Sequence, residues 1–396
     1  MIPFRSWLPV LILVLIMGVL FRMPWLVAFA MAVLILLTIA QYWNRHALDN
    51  LTYKRQFRYT RGFAGESLEF NLQVENNKKL PINWLKTEDR WPYAVGPADI
   101  KTLTPTHLPE MGNLVNLYSL RQRQKTRREF PLLLQKRGLY NIGPVSLESG
   151  DPFGLFRTTH EEDLQQSITV FPDLVSFDFS AMATEDPLGE RKTLQRLFED
   201  PTQPMGVREY LPDDEFRRIH WPATARTGEL QVKVFPPVSS RVLMICLNAA
   251  TTRQLWLGTL PNTFEQLLSI SATIACDAME KGYQVGLISN GSVAHSDHPF
   301  RVLPGRTSNH LAFLLQTLAA ATDYITAPFE QFLLQSLGKI PLGSALVIVS
   351  ACTTGLMIDS LVRMQRYRSH ITLVALDEAP PPTLPGISVV HLPFAE

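Results

Sequence analysis

Apolar residues crowd the amino terminus of this chain. Residues 6–21 and 24–43 are nearly unbroken apolar runs separated by Arg22, and no acidic residue occurs before Asp49. A membrane-spanning helix needs about 20 predominantly apolar residues. The second run meets that length, and the first approaches it when residues 1–4 or Arg22-Met23 are counted with it. Trp7, Trp25, Tyr42 and Trp43 lie near the run ends, where amphipathic rings favour the bilayer interface. The pattern predicts a hairpin of two N-terminal transmembrane helices over residues 1–45, turning at Arg22-Met23-Pro24. A cleavable leader ending at Ala28-Phe29-Ala30 is disfavoured because the apolar run continues to Ile39. A buried core hairpin is disfavoured because the runs are apolar on every face. Arg45, Lys54, Arg55, Arg58 and Arg61 follow the second run and Arg5 precedes the first. That bias predicts a multi-pass protein of the cell (inner) membrane with its soluble domains in the cytoplasm.

Beyond the hairpin the period changes to two. Ser67-Leu68-Glu69-Phe70-Asn71-Leu72-Gln73-Val74 alternates polar and apolar, and turn residues recur at Asn76-Asn77-Lys78-Lys79 and Lys136-Arg137-Gly138. Short alternating strands with frequent turns predict a small antiparallel β-sandwich over residues 51–171. Residues 172–240 read as a connector with one helix at 189–198. From 241 to 396, continuous apolar strands (242–247, 284–288, 345–350, 371–376 and 387–391) alternate with helices (263–281, 308–320, 328–337 and 356–367). That alternation predicts an α/β domain with a parallel, doubly wound sheet.

Composition narrows the classes. The chain has 396 residues, 46% hydrophobic and 18% charged, with a formal net charge of +1. This excludes a disordered chain and offers no global basic footprint for nucleic acid. Cys246, Cys276 and Cys352 are too far apart in sequence for a CxxC zinc site or a disulfide scaffold, and they suit a reducing compartment. There is no GxxxxGK[ST], GxSxG or HExxH, so P-loop nucleotide binding and two common hydrolase signatures are absent.

The densest chemistry lies between Gly206 and Val234, which holds Arg208, Glu209, Asp213, Asp214, Glu215, Arg217, Arg218, His220, Trp221 and Arg226. Asp213, Asp214, Glu215 and His220 offer oxygen and imidazole ligands for a hard metal ion. The competing reading, favoured here, is a structural network in which acids and arginines pair with one another. Arg121, Arg123, Lys125 and Arg127 recur at period two, as on one face of a strand. They would meet anionic lipid or, more simply, water. His295 and His298 flank Ser296-Asp297 as a weaker metal pair. Cys246 and Cys352 read as small core residues. Asp151-Pro152-Phe153-Gly154 reads as a turn with Phe153 and Phe156 packed beneath it.

Arg208-Glu209-Tyr210, Pro212, Asp214, Arg217, Ile219-His220-Trp221 and Ala223-Thr224-Ala225-Arg226 resemble the signature of domain-of-unknown-function family 58. Arg137-Gly138-Leu139-Tyr140, Gly143-Pro144 and the stretch from Asp151 to Phe156 resemble a second signature of that family. Asp213 stands where the family usually has Gly, and Pro222 where Lys is common. The resemblance implies a von Willebrand factor A-like carboxy-terminal domain over 241–396. It also implies an accessory role beside MoxR-type AAA+ ATPases or transglutaminase-like membrane proteins. An A-type domain would bind Mg²⁺ through Asp-x-Ser-x-Ser after its first strand. Here that position reads Asn248-Ala249-Ala250-Thr251-Thr252, and Ala351 stands where a supporting Asp is expected. Both carboxylates are missing, so the site at Asn248, Ala250 and Thr252 is degenerate for Mg²⁺. The sequence therefore predicts a membrane-anchored, non-catalytic scaffold or adaptor without cofactors, binding its partner through Arg208, Glu209, Tyr210, Asp214, Arg217, His220, Trp221 and Arg226. The alternatives are a metal-dependent hydrolase built on Asp213, Asp214, Glu215 and His220, and an envelope-facing binding module of reversed topology.

Overall fold

The structure is a computed structural model that describes residues 4–175, 206–211, 216, 219–234, 242–254, 258–294, 296–341, 343–365 and 371–392. The chain divides into two compact units, Met1–Asp173 and Leu174–Glu396.

The first unit opens with α1 (Phe4–Leu20) and α2 (Pro24–Arg45), which pack on each other. The reversal is a Schellman stop. The Arg22 N–H donates to Val19 O at 3.2 Å and the Met23 N–H to Gly18 O at 2.9 Å, with Arg22 left-handed at φ 51°. Gly18 permits the close approach, since a Cβ there would stand 2.9 Å from Leu26 Cδ2 and Val27 Cγ2. Among the described residues, two helices long enough to cross a membrane do not form. α1 has 17 residues, about 25 Å of helix against a hydrocarbon core of about 30 Å. The residues counted toward the first span at Arg22-Met23 belong to the turn, because the helix has ended at Leu20. Among the described residues only α2, with 22 residues, is long and apolar enough to cross a bilayer. Its buried residues are Ala30 and Ala40, so protein leaves most of its apolar surface uncovered.

Strands follow in close succession: β1 (Leu51–Phe57), β2 (Arg61–Phe63), β3 (Ser67–Asn76), β4 (Ile82–Pro92), β5 (Val95–Pro97) and β6 (Leu103–Pro105). Then come β7 (Met111–Leu120), β8 (Lys125–Leu134), β9 (Gly138–Ile142), β10 (Val145–Gly150), β11 (Arg157–Glu162) and β12 (Gln166–Phe171). They form three sheets, ordered β1-β3-β8-β5, β11-β10-β4-β7-β6 and β2-β12-β9. Leu72 and Leu132 from the first, Leu85 and Leu114 from the second, and Ile168 and Val170 from the third meet in one core. The unit is thus β-rich, but it is not a purely antiparallel sandwich. Strand β12 runs parallel to β2, a pairing that alternation within one strand cannot reveal. Arg121 and Arg123 lie in the turn between β7 and β8, so they do not share a strand face with Lys125 and Arg127.

An ion pair sits inside this unit. Arg55 Nε donates to Asp89 Oδ2 and Nη2 to Asp89 Oδ1, both at 2.7 Å, with the side chains 1% and 0% exposed. Arg55 Nη1 donates to Leu164 O at 2.7 Å and the Tyr53 hydroxyl to Asp89 Oδ2 at 2.9 Å. Burial, then the Asp89 charge, holds the Tyr53 hydroxyl well above its usual range, so it remains a neutral donor.

Lys78 joins α2 to the strands. Its ammonium donates to His46 O at 2.6 Å and also to Ala47 O, carbonyls just past the helix end. Burial, opposed by the Asp49 charge, brings Lys78 down to about 8. In the unfolded chain a lysine holds its proton to about pH 10.4. Between those values the unfolded state binds more protons, so this group makes stability rise with pH. The expected result is a positive difference in slope between the wild type and Lys78→Met across that window, read by denaturant unfolding at several pH values. Parallel curves would contradict it.

The second unit contains β13 (Gly206–Glu209), α3 (Trp221–Thr227), β14 (Gln231–Val234), β15 (Val242–Leu247), α4 (Pro261–Glu280), β16 (Gln284–Val293) and β17 (Pro299–Gly305). It continues with α5 (Ser308–Ala320), β18 (Ala321–Ile325), α6 (Phe329–Ser336), β19 (Ala345–Ser350), α7 (Gly355–Gln365), β20 (Ile371–Ala375) and β21 (Ser388–His391). Strands β13 and β14 pair as a separate hairpin. The main sheet is ordered β17-β16-β15-β19-β20-β21, with β18 also on β16. It is mixed, which corrects the expectation of a parallel sheet. β17 and β18 run antiparallel to β16, which extends to Val293 and so offers them ladder positions. Val242, Met244 and Cys246 share a core cluster with Phe332 of α6 and Leu361 of α7. The intervening Leu243, Ile245 and Leu247 are equally buried, and α4 packs on β15 as well.

Candidate functional site

The carboxy-terminal ends of β15 and β19 lie side by side, and the chain leaves them in opposite directions. β15 leads through α4 to β16, whereas β19 leads through α7 to β20 on the other side. In open α/β sheets such a switch point makes a crevice where ligands bind. Here it is a cleft of about 310 Å³ lined by Asn248, Thr252, Arg253, Glu330, Cys352 and Leu356, among others.

The buried polar groups Asn248, Asn290 and Asp377 at this edge are engaged with the protein. Asn248 Nδ2 donates to Ser350 Oγ at 3.0 Å, and its Oδ1 accepts the Ala250 N–H at 3.1 Å. Asn290 Oδ1 accepts from Ala249 N at 2.8 Å while its Nδ2 donates to Ala327 O at 3.0 Å. Asp377, in the loop after β20, accepts from Thr353 N at 3.0 Å and Thr353 Oγ1 at 2.8 Å. Burial, then the Asp377 charge, pushes the Cys352 thiol up to about 11, and burial does the same for Cys276. Both are therefore thiols rather than thiolate nucleophiles near neutrality. Asn248, Ala250 and Thr252 all reach the cleft, with Asn248 and Ala250 buried. Among the described residues no group of three or more His, Cys, Asp or Glu is placed to hold a metal ion.

The Gly206–Val234 segment folds as β13, α3 and β14. His220 is a helix cap: its ring Nδ1 accepts the Ala223 N–H at 3.0 Å, and its own N–H donates to Gln231 O at 2.7 Å. Gly228, left-handed at φ 79°, ends α3. Ile219 bridges Val232, and both are buried. Arg208 Nη1 donates to Glu209 O, while the Tyr210 ring lies 5.7 Å from that of Phe216. Trp221 is 65% exposed, and Arg226 is exposed on the last turn of α3. Asp213, Asp214, Glu215, Arg217, Arg218 and the helix expected at 189–198 lie outside the described residues, as does His295. Of the predicted hydrolase set, His220 alone is described, and its imidazole serves the backbone.

Sequence reasoning missed Asn290 and Asp377. Asn290 sits inside an apolar strand, and Asp377 precedes the Pro-rich stretch 380–385. The only available signal was a polar residue at the end of a buried strand. Phe153 is also corrected. It is 56% exposed and Leu155 44%, because Asp151, fully buried, accepts the Phe153 N–H at 2.8 Å and the Phe156 N–H at 2.5 Å. The Asp151 carboxylate fills the inside of that turn, while Phe156 is half-buried.

The chain is 22% identical over 294 residues to the uncharacterized protein YeaD of Bacillus subtilis (strain 168), covering 74% of this chain and 68% of that protein. Among solved structures, the CARDB domain of a Pyrococcus furiosus protein is 10% identical with a TM-score of 0.21, covering 30% of this chain and 91% of that one. A cohesin module from a Clostridium perfringens family 33 glycoside hydrolase is 12% identical with a TM-score of 0.21, covering 31% and 95%. Neither structural likeness bears on function. Residues 206–394 of the chain match the model of the family described as "Protein of unknown function DUF58".

Proposed function

We propose that this chain is a membrane-anchored, non-catalytic scaffold whose carboxy-terminal unit binds a protein partner. The observation that carries the reading is the state of the switch-point cleft. In its lining Asn248 spends its polar atoms on the protein itself, as Asn290 and Asp377 do behind it, the Cys352 thiol is held protonated, and Leu356 stands 65% exposed beside Arg253 and Glu330. Catalysis needs a group within reach of substrate and free to exchange a proton or bond. Engaged buried polar groups below a lining that mixes exposed Leu356 with Arg253 and Glu330 instead suit recognition of a protein surface. The exposed Trp221 and Arg226 are residue types that anchor interfaces. Anchoring rests on α2, and Arg45, Lys54 and Arg58 after it favour a cytoplasmic location for the soluble domains. The partner class implied by the family resemblance is a MoxR-type AAA+ ATPase.

The test is crosslinking of the full chain in native membranes, mild detergent extraction and mass spectrometry. The reading expects such an ATPase with the wild type and its loss with Trp221→Ala, Arg226→Ala or Leu356→Ala. Recovery of the chain alone, or recovery unaffected by all three substitutions, overturns it.

A further inference from the structure

One end of the β-rich unit gathers the features of a bilayer-contacting surface. Lys78 binds the carbonyls of His46 and Ala47 after α2, and the Asn77 N–H donates to Asn50 O at 3.0 Å, so the β3–β4 turn lies where α2 ends. The β7–β8 turn is tied to the same place. The Arg123 N–H donates to Lys78 O at 3.2 Å and Asn76 Nδ2 to Arg121 O at 3.0 Å. Strand register brings the β10–β11 loop there as well. Leu85, near the start of β4, pairs with Ser149, and Gly150 pairs with Arg157, so residues 151–156 project beyond the same end.

These three connections carry complementary chemistry. Lys79, Arg121, Arg123 and Arg157 are exposed, and the β10–β11 loop presents Phe153 and Leu155 to the outside at 56% and 44% exposure. The acids nearby include Asp49, which is exposed, Glu75, half-buried and opposite Lys125, Glu148, which pairs with Arg157, and Asp151, which is consumed by the loop backbone. Apolar side chains held out on a short turn beside basic residues, at the foot of an apolar helix, match an anionic lipid surface. The rings and Leu reach the acyl boundary, and the bases meet headgroup phosphates.

We propose that this end of the β-rich unit lies on the bilayer that α2 enters, with Phe153 and Leu155 inserted at the interface and Lys79, Arg121 and Arg123 on anionic headgroups. The proposal rests on the anchoring reading of α2. Contact at three connections would hold the unit against the membrane instead of letting it swing from the helix.

The test uses the full chain on a Cys276→Ser background, since Cys246 and Cys352 are buried. Phe153→Cys and, at the opposite end in the β6–β7 loop, Leu108→Cys each receive an NBD fluorophore. Each labelled chain is reconstituted in vesicles of phosphatidylcholine with or without phosphatidylglycerol. The expected result is blue-shifted emission at 153, quenched by headgroup-proximal doxyl lipids, with water-like emission at 108. The shift at 153 should shrink without phosphatidylglycerol and in Arg121→Glu/Arg123→Glu. Water-like emission at both positions in a chain that resists alkaline extraction overturns the proposal and leaves the anchor standing. Release of the chain by alkaline extraction overturns both. Equal blue shifts at 153 and 108 overturn it too, since they report general adsorption.

Discussion

Asp89→Ala is expected to destabilise the first unit by about 3–5 kcal/mol, because it leaves the Arg55 guanidinium buried without its counter-charge. Three donor contacts end on that carboxylate, two from Arg55 and one from Tyr53. For a unit of this size the loss corresponds to a fall of roughly 6–20 °C in melting temperature. Hydrogen exchange of the β3, β4 and β8 amides in detergent would show it in the right unit. Arg55→Ala should cost a similar amount, and it also strips the donor from Leu164 O. The double variant Arg55→Met/Asp89→Leu should recover most of the loss, since replacing a buried pair with apolar residues is often neutral or stabilising. Single variants each costing less than about 1 kcal/mol would mean that the site tolerates a lone charge, and the pair would lose its assigned role.

Asn290→Ala is the second large effect, about 3 kcal/mol in the second unit. Its amide bridges Ala249 N and Ala327 O across the sheet edge, and truncation leaves the buried Ala249 donor and the part-buried Ala327 acceptor unpaired. Asn290→Asp should be at least as damaging. It keeps the acceptor toward Ala249 but turns a second oxygen on the Ala327 carbonyl and buries an unpaired charge. Because Ala249 lies between Asn248 and Ala250 of the cleft, both variants should also raise exchange of the Ala249 and Ala250 amides before global unfolding. Unchanged exchange there, with thermal stability near wild type, would remove Asn290 from the support of the cleft.

Much of the second unit could be read from pattern because its strands are uninterrupted apolar runs. β15 at 242–247, α5 at 308–320 and β19 at 345–350 coincide with their predicted limits. Strand β17 escaped because Pro299 and Pro304 bound it, and proline reads as a break even where an edge strand tolerates it. Strand β18 escaped because it follows α5 with no Gly or Pro between them. The Arg55–Asp89 pair joins residues 34 positions apart that have no distinctive spacing, so only the tertiary register exposes it. The Asp151 loop shows a different limit. Its composition announces a turn, but composition does not say which groups face inward, and a buried carboxylate reversed the expected placement of Phe153. The shortfall of α1 at its carboxy-terminal end is a matter of a few residues after Leu20, where helix limits are least legible from sequence.

The parallel pairing of β12 with β2 also fixes the order of events during synthesis. Residues 61–63 wait for residues 169–171, so their sheet cannot be completed until the last strand of the unit has left the ribosome. By then α2 has long been available for membrane insertion. The strands must therefore hold for more than a hundred residues of elongation with β2 lacking its β12 partner and its backbone groups open to wrong partners. For this chain, completion of the β-rich unit comes only with its last strand, and delayed translation between residues 63 and 169 would prolong the interval in which it is most prone to aggregate.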